Sequence, residues 1–194
     1  MGSYYSKEEL IASGFNSVGE NVRVTRKVSL YKIFGTLGSN LRIDDNVVLI
    51  GNISIGSYTH VAPNCLLNSG PSTIKIEDFV SISSNCSIFG SSDDYNGDSL
   101  CNPCCPKEFV VSNNDPVLIS RGSALGANTV VLPGSLIPKY TTIGALSLVQ
   151  KGMNLSVGTA YISRAMMLTP MHKRDIAALE TKVKKILIAE KINI

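Results

Sequence analysis

The 194-residue sequence has no tryptophan, two histidines and only 6% aromatic residues. With His60 and His172 as the whole supply, the sequence argues against a three-histidine zinc site. No run of about 18 apolar residues occurs, so no spanning helix is expected. Met1 to Leu10 has no apolar core, so no secretory leader is expected, and a cytoplasmic location is the default. The net charge is only +3 with Lys and Arg scattered, which argues against nucleic acid as a partner. Of the five cysteines, Cys101, Cys104 and Cys105 share a polar loop whose lone CxxC pair has no second pair nearby. Four ligands are the usual requirement, and no metal is expected.

What the chain does have is a six-residue rhythm. Ile119, Leu125, Val131, Ile137, Ile143 and Val149 follow at intervals of six, and Ser123, Thr129, Ser135, Thr141 and Ser147 each stand four residues after one of them. Neither an amphipathic helix nor an alternating strand has this period. It marks a β-solenoid, in which one branched and one small residue per short strand point inward and stacked coils share a core. Cys65 and Cys86 fall on small inward positions, where a thiol serves as a small hydrophobe.

Read in order, Ser6 to Glu9 forms a capping box, so a short helix is expected to run to Ser13 and cover the open end of the solenoid. Val18, Val24 and Leu30 start the rhythm, Tyr31 to Asn40 interrupts it, and Ile43, Leu49, Ile55, Val61 and Leu67 resume it. Gly70-Pro71-Ser72 reads as a turn with about three extra residues, after which Ile76, Ile82 and Ile88 should stack on Ile55, Val61 and Leu67. From Asp93 to Pro116 the period is lost, and a loop this long within a solenoid points to function. A helix is expected from about Thr169 to Ile192, with Ile176, Leu179, Val183 and Ile186 on one face. The expected organisation is a cap over 1–17, a β-helix over 18–152 interrupted by loop 93–116, and a C-terminal extension and helix over 153–194.

The repeats Ile55-Gly56-Ser57-Tyr58-Thr59-His60, Leu125-Gly126-Ala127-Asn128-Thr129-Val130 and Ile143-Gly144-Ala145-Leu146-Ser147-Leu148, with Val131-Leu132-Pro133-Gly134 between, resemble the hexapeptide-repeat acyltransferases. That resemblance implies an all-β, left-handed parallel β-helix, a homotrimer with sites between subunits, and acyl-coenzyme A as co-substrate. Asp78-Phe79 through Ser83-Ser84, Ser91 to Gly97 and Asn102-Pro103 narrow it to the branch that acylates sugars for surface polysaccharides. The chain is most similar there to the anthrose-pathway N-acyltransferases, which act on a dTDP-linked 4-amino-4,6-dideoxyglucose.

Many O-acetyltransferases of this family carry a basic histidine where this chain has Ser91-Ser92-Asp93-Asp94. Deprotonating a hydroxyl with a water-like pKa of about 15.7 calls for such a base. A sugar amine resembles an α-amino group with pKa of about 8, and a useful fraction is already neutral at pH 7. The missing histidine therefore favours an amino sugar. Asp94 is the candidate to orient the amine, with Asp93 as its rival; both could instead simply cap the loop. Ser84, read as an outward strand position, is the candidate hydrogen-bond donor to the acceptor or the oxyanion, and Tyr95 could stack on sugar or base. His60, at an outward position, is either a site residue or structural, and would be the base in the alternative, a sugar O-acetyltransferase. By the same resemblance, Ser123, Ala145 and Ser147 lie along the pantetheine arm, with Lys151 or Arg121 near its phosphates. The family's usual Gly-x-Pro-Ala segment is replaced here by Tyr161 to Ala165. An ice-binding or purely structural solenoid would show flat rows of repeated outward residues, and this chain does not.

Overall fold

Most six-residue units are a two- or three-residue strand followed by a corner, while Ser29–Phe34, Val48–Ile55 and Leu66–Ile76 run longer, and three units close one coil. The computed structural model describes residues 3–95, 100, 102, 104–164 and 167–189. Its coils stack into a three-sided parallel β-solenoid. On the first side Val18, Leu37, Ile55, Ile76, Ile119 and Ile137 lie one above another. The second side stacks Val24, Ile43, Val61, Ile82, Leu125, Ile143 and Tyr161. Leu30, Leu49, Leu67, Ile88, Val131 and Val149 make the third. All but Leu30 are buried, in one continuous core. Each such side chain stabilises the fold by roughly 1.5–3 kcal/mol relative to exposure.

The small inward residues fill the corners and satisfy carbonyls there. Ser123 Oγ donates to Pro138 O at 2.7 Å, and Cys65 and Cys86 donate their Sγ–H groups to Ser83 O and Gly126 O, each at 3.2 Å. Asn46, Asn64, Asn85 and Asn128 turn the corner from the second side to the third with φ near +60°. Asparagine tolerates this left-handed conformation because its short side chain bonds locally.

The solenoid's first coil is plugged by α1 (Lys7–Ala12), whose Leu10, with nearby Phe15, is almost fully buried. Both halves of the expected capping box form: Ser6 Oγ accepts from the Glu9 N–H, and Glu9 accepts from the Ser6 N–H. The expected interruption at Tyr31 to Asn40 is a single extra residue, taken up near Lys32 at φ +49°, and Leu37 keeps the column unbroken. Gly70-Pro71-Ser72 is not a turn between strands. It lies inside the long strand Leu66–Ile76, which bends over a corner with Gly70 at φ +55°. The stacking of Ile55, Val61 and Leu67 with Ile76, Ile82 and Ile88 is as expected.

The long loop leaves the corner between the third and first sides on a two-stranded antiparallel ribbon, Ser91–Asp93 with Ser112–Asn114. Residues 112–114 are expected as loop from the lost period, yet they form a strand, because a local antiparallel pair needs no six-residue repeat. Beyond Gly152 the second side gains one more strand, Thr159–Arg164, and Met167–Lys173 pairs back on it. The expected helical start at Thr169 is therefore strand, which covers an otherwise open sheet edge. The helix is α2 (Ile176–Ala189), with Val183 buried as expected, but Leu187 rather than Ile186 continues its inner face, and Ile186 is 39% exposed. Asn96, Gly97, Cys101, Pro103, Ala165 and residues 190–192 of the sequence reading lie outside the described residues.

Replacing fully buried Leu125 by Ala is expected to cost about 2–5 kcal/mol, read by urea unfolding. Ser6→Ala should cost about 1 kcal/mol through the lost cap; no loss there would detach α1 from the stability of the solenoid.

Candidate active site

Outward residues at the corners and the inserted loop carry what the core does not use. The ribbon at the loop's root borders a cleft of about 510 Å³ lined by Asn68, Phe89, Ser91, Asp93, Tyr95 and Leu132, among others. Asp93 and Tyr95 thus share one cavity, and Tyr95 is 80% exposed. Asp94, between them, does not line the cleft. It is 8% exposed, and its backbone N–H donates to Val111 O at 3.1 Å, so the ribbon fixes its position.

Ser84 is not on a strand. It stands at the corner before the strand Ser87–Phe89, beside Asn85 at φ +61°, and its carbonyl accepts from the Asn128 N–H at 3.0 Å. Among the described residues its hydroxyl makes no hydrogen bond. One whole strand separates Ser84 from the loop root in the chain, so within one subunit they stand at opposite ends of the third side.

His60 lies elsewhere, on the second side. Its Nε2 is 2.8 Å from Asp44 Oδ2, while Arg42 Nε and Nη2 donate to the two Asp44 oxygens at 2.6 and 2.9 Å. Burial raises the pKa of the Asp44 carboxyl, but the bonds from Arg42 and His60 outweigh it and hold the group below the ordinary carboxylate range. His60 is thus an oriented imidazole, one side away from the loop.

The residues read for coenzyme binding divide in two. Ser123 and Ser147 are buried and donate their hydroxyls to Pro138 O and Gly144 O, so their side chains belong to the core and only their backbone could meet a ligand. Ala145 is exposed at a corner, and Lys151 is exposed and paired with Asp115 at 2.9 Å. Arg121 sits at the corner between the first and second sides with its guanidinium 5.4 Å above the Phe79 ring, which itself stacks on Tyr58 at 4.7 Å. Gly122 at φ +71° completes this column: a Cβ there would lie 2.3 Å from the Tyr140 ring. Tyr140 in turn donates to Glu180 on α2, and its pKa is pushed up to about 12 by burial and by that carboxylate.

A second groove, of about 550 Å³, runs along the first side and includes Arg121 together with Lys75 and Lys139. The two lysines were missed in sequence, although Lys139 is 18 residues, one coil, after Arg121. Among the described residues no cluster of His, Cys, Asp and Glu could hold a metal ion, and no helix is long and apolar enough to cross a membrane.

This architecture, a three-sided solenoid with one long loop at a corner and clefts along its sides, is that of a hexapeptide-repeat transferase. No family model matches the chain. A dTDP-4-amino-4,6-dideoxy-D-glucose acyltransferase of Escherichia coli is 35% identical over 153 residues, covering 77% of this chain and 79% of the relative. The crystal structure of AntD, an N-acyltransferase from Bacillus cereus, in complex with dTDP and 3-hydroxybutyryl-CoA superposes with a TM-score of 0.84 at 32% identity, covering 96% of this chain and 99% of that one. An AntD variant with a substituted serine, bound to dTDP-4-amino-4,6-dideoxyglucose and coenzyme A, gives 0.85 at 32% identity, over 95% and 99% of the two chains. The chain belongs to the hexapeptide-repeat, left-handed β-helix acyltransferases, in their sugar N-acyltransferase branch.

Because the Asp44 carboxyl titrates lower folded than unfolded, its ion pairs add stability above the usual carboxylate pKa of about 3.9, and that share is lost as pH falls through the folded value. The stability gap between the wild type and Asp44→Asn, measured by urea unfolding, should be widest near about pH 5 and close toward about pH 2. A gap unchanged over that range would refute the pairing.

Proposed function

We propose that this protein transfers an acyl group from acyl-coenzyme A to the 4-amino group of a dTDP-linked 4-amino-4,6-dideoxy sugar, as a cytoplasmic homotrimer with its sites between subunits. The observation that carries this reading is the pair of carboxylates rooted at Asp93 and Asp94 in a loop with no histidine at that position, in a chain 35% identical to an acyltransferase of such a sugar. That AntD has been crystallised with coenzyme A and either dTDP or the amino sugar nucleotide, in variants at an aspartate and at a serine, supports it.

In this reading the amine nitrogen attacks the thioester carbonyl, the carbon–sulfur bond breaks, and the coenzyme leaves as a thiol. Asp94 accepts a hydrogen bond from the neutral amine and orients its lone pair; it is preferred to Asp93 because a largely buried carboxylate acts through a lower dielectric. The proton lost by the nitrogen passes to that carboxylate or to the leaving sulfur. Ser84 offers an unengaged hydroxyl to the sugar or to the oxyanion. Since Ser84 and the loop root stand at opposite ends of one side, a site using both draws them from neighbouring subunits. Tyr95 is free to stack on the sugar or the base, and Ala145, Lys151 and Arg121 remain the candidates for coenzyme contacts, with Ser123 and Ser147 restricted to their backbone.

Thiol release is measured with acetyl-coenzyme A against a dTDP-4-amino sugar and its 4-hydroxy counterpart. Turnover of the amine only, reduced roughly tenfold or more in Asp94→Ala and less in Asp93→Ala, is the expected result. Turnover of the hydroxyl sugar that is abolished by His60→Asn would instead establish an O-acetyltransferase, with His60 oriented by Asp44 as base.

A further inference from the structure

We propose that the groove along the first side is a phosphate-binding subsite, and that Lys75, Arg121 and Lys139 take the phosphate groups of a nucleotide-bearing ligand. Register brings these residues together. Ile76, Ile119 and Ile137 stack on successive coils, so Arg121 and Lys139, each two residues further on, share one corner column. Adjacent coils are about 4.8 Å apart. Lys75 lies on the coil before, paired with Leu118, and lines the same groove.

Among the described residues none of the three forms a salt bridge. The groove does hold two carboxylates, Glu77 and Asp78, but each already serves the backbone. Ser57 N–H donates to Asp78 Oδ1 at 2.7 Å, and Arg121 N–H donates to Glu77 Oε2 at 2.9 Å. Three cations against two carboxylates leave this wall net positive, which favours a bound anion. Arg121 adds a sharper sign: its Nε is buried without a hydrogen-bond partner, while its guanidinium carbon lies 5.4 Å over the Phe79 ring. A buried donor left unpaired is costly, and a phosphate oxygen is the acceptor that a guanidinium fork fits.

The shape agrees. From the cationic end the groove continues over earlier coils past Ser54, Thr36 and Ser17, whose hydroxyls and backbone suit an extended polar ligand. Both the sugar nucleotide and coenzyme A carry a diphosphate on such a body, and it is this shared group that the subsite takes. The choice of these two ligands rests on the acyltransferase reading; the anion site itself does not.

The test is calorimetric binding of dTDP, coenzyme A and inorganic pyrophosphate to the wild type and to Lys75→Met/Lys139→Met, which removes two exposed charges and should leave the melting temperature unchanged. Roughly tenfold weaker binding of one nucleotide with the other unaffected supports the subsite and names its occupant. Equal affinities in both proteins for all ligands overturn the inference while leaving the acyltransferase reading intact. Pyrophosphate binding that depends on the lysines, with no binding of either nucleotide, keeps the subsite and sinks the reading. No binding of any of the three to the wild type overturns both.

Discussion

Everything in this molecule depends on keeping an apolar column continuous across coils. Parallel strands of two or three residues carry few ladder hydrogen bonds each, and a single coil cannot bury its own inner face. Stability comes from stacking the same inward position at each level, so that Ile82 rests between Val61 and Leu125 and shares their core. A residue added on a side would rotate every later side chain out of register. The chain therefore places its irregularities at corners, one residue near Lys32 and the long insertion after Phe89.

That division of labour explains why the chemistry is peripheral. Inward serines, threonines and thiols are consumed by carbonyls of neighbouring coils, as Ser123 and Ser147 show. Outward positions are free of the packing constraint, and corners can hold residues that a strand would not. Tyr58 and Phe79 take the left-handed conformation used by Asn21 and Asn40 lower in the same column, and their stacked rings support Arg121. The loop root adds a fixed carboxylate at Asp94 and an open cleft beside Asp93 and Tyr95.

The fold was legible because its period is a local property of the chain: inward residues at every sixth position can be counted without knowing what they touch. The capping box at Ser6 was legible for the same reason. Errors arose where structure is set by partners remote in the sequence or by an unrepeated pairing. The ribbon strand at Ser112–Asn114 exists through Ser91–Asp93, and Thr169–Lys173 is strand because Thr159–Arg164 offers an edge that outweighs its helix-like pattern.

Composition and periodicity determined a β-solenoid with a capped end, an inserted loop rich in carboxylates, and too few histidines for a zinc site of three. Only the tertiary structure decided which outward residues meet. Strand register tied His60 to Asp44, placed Ser84 at a corner rather than on a strand, and lined up Lys75, Arg121 and Lys139 along one groove. The physical reason is that inward positions repeat with one chemical demand, whereas an outward side chain is defined by its neighbours on adjacent coils. Those neighbours lie a full coil or more away along the chain.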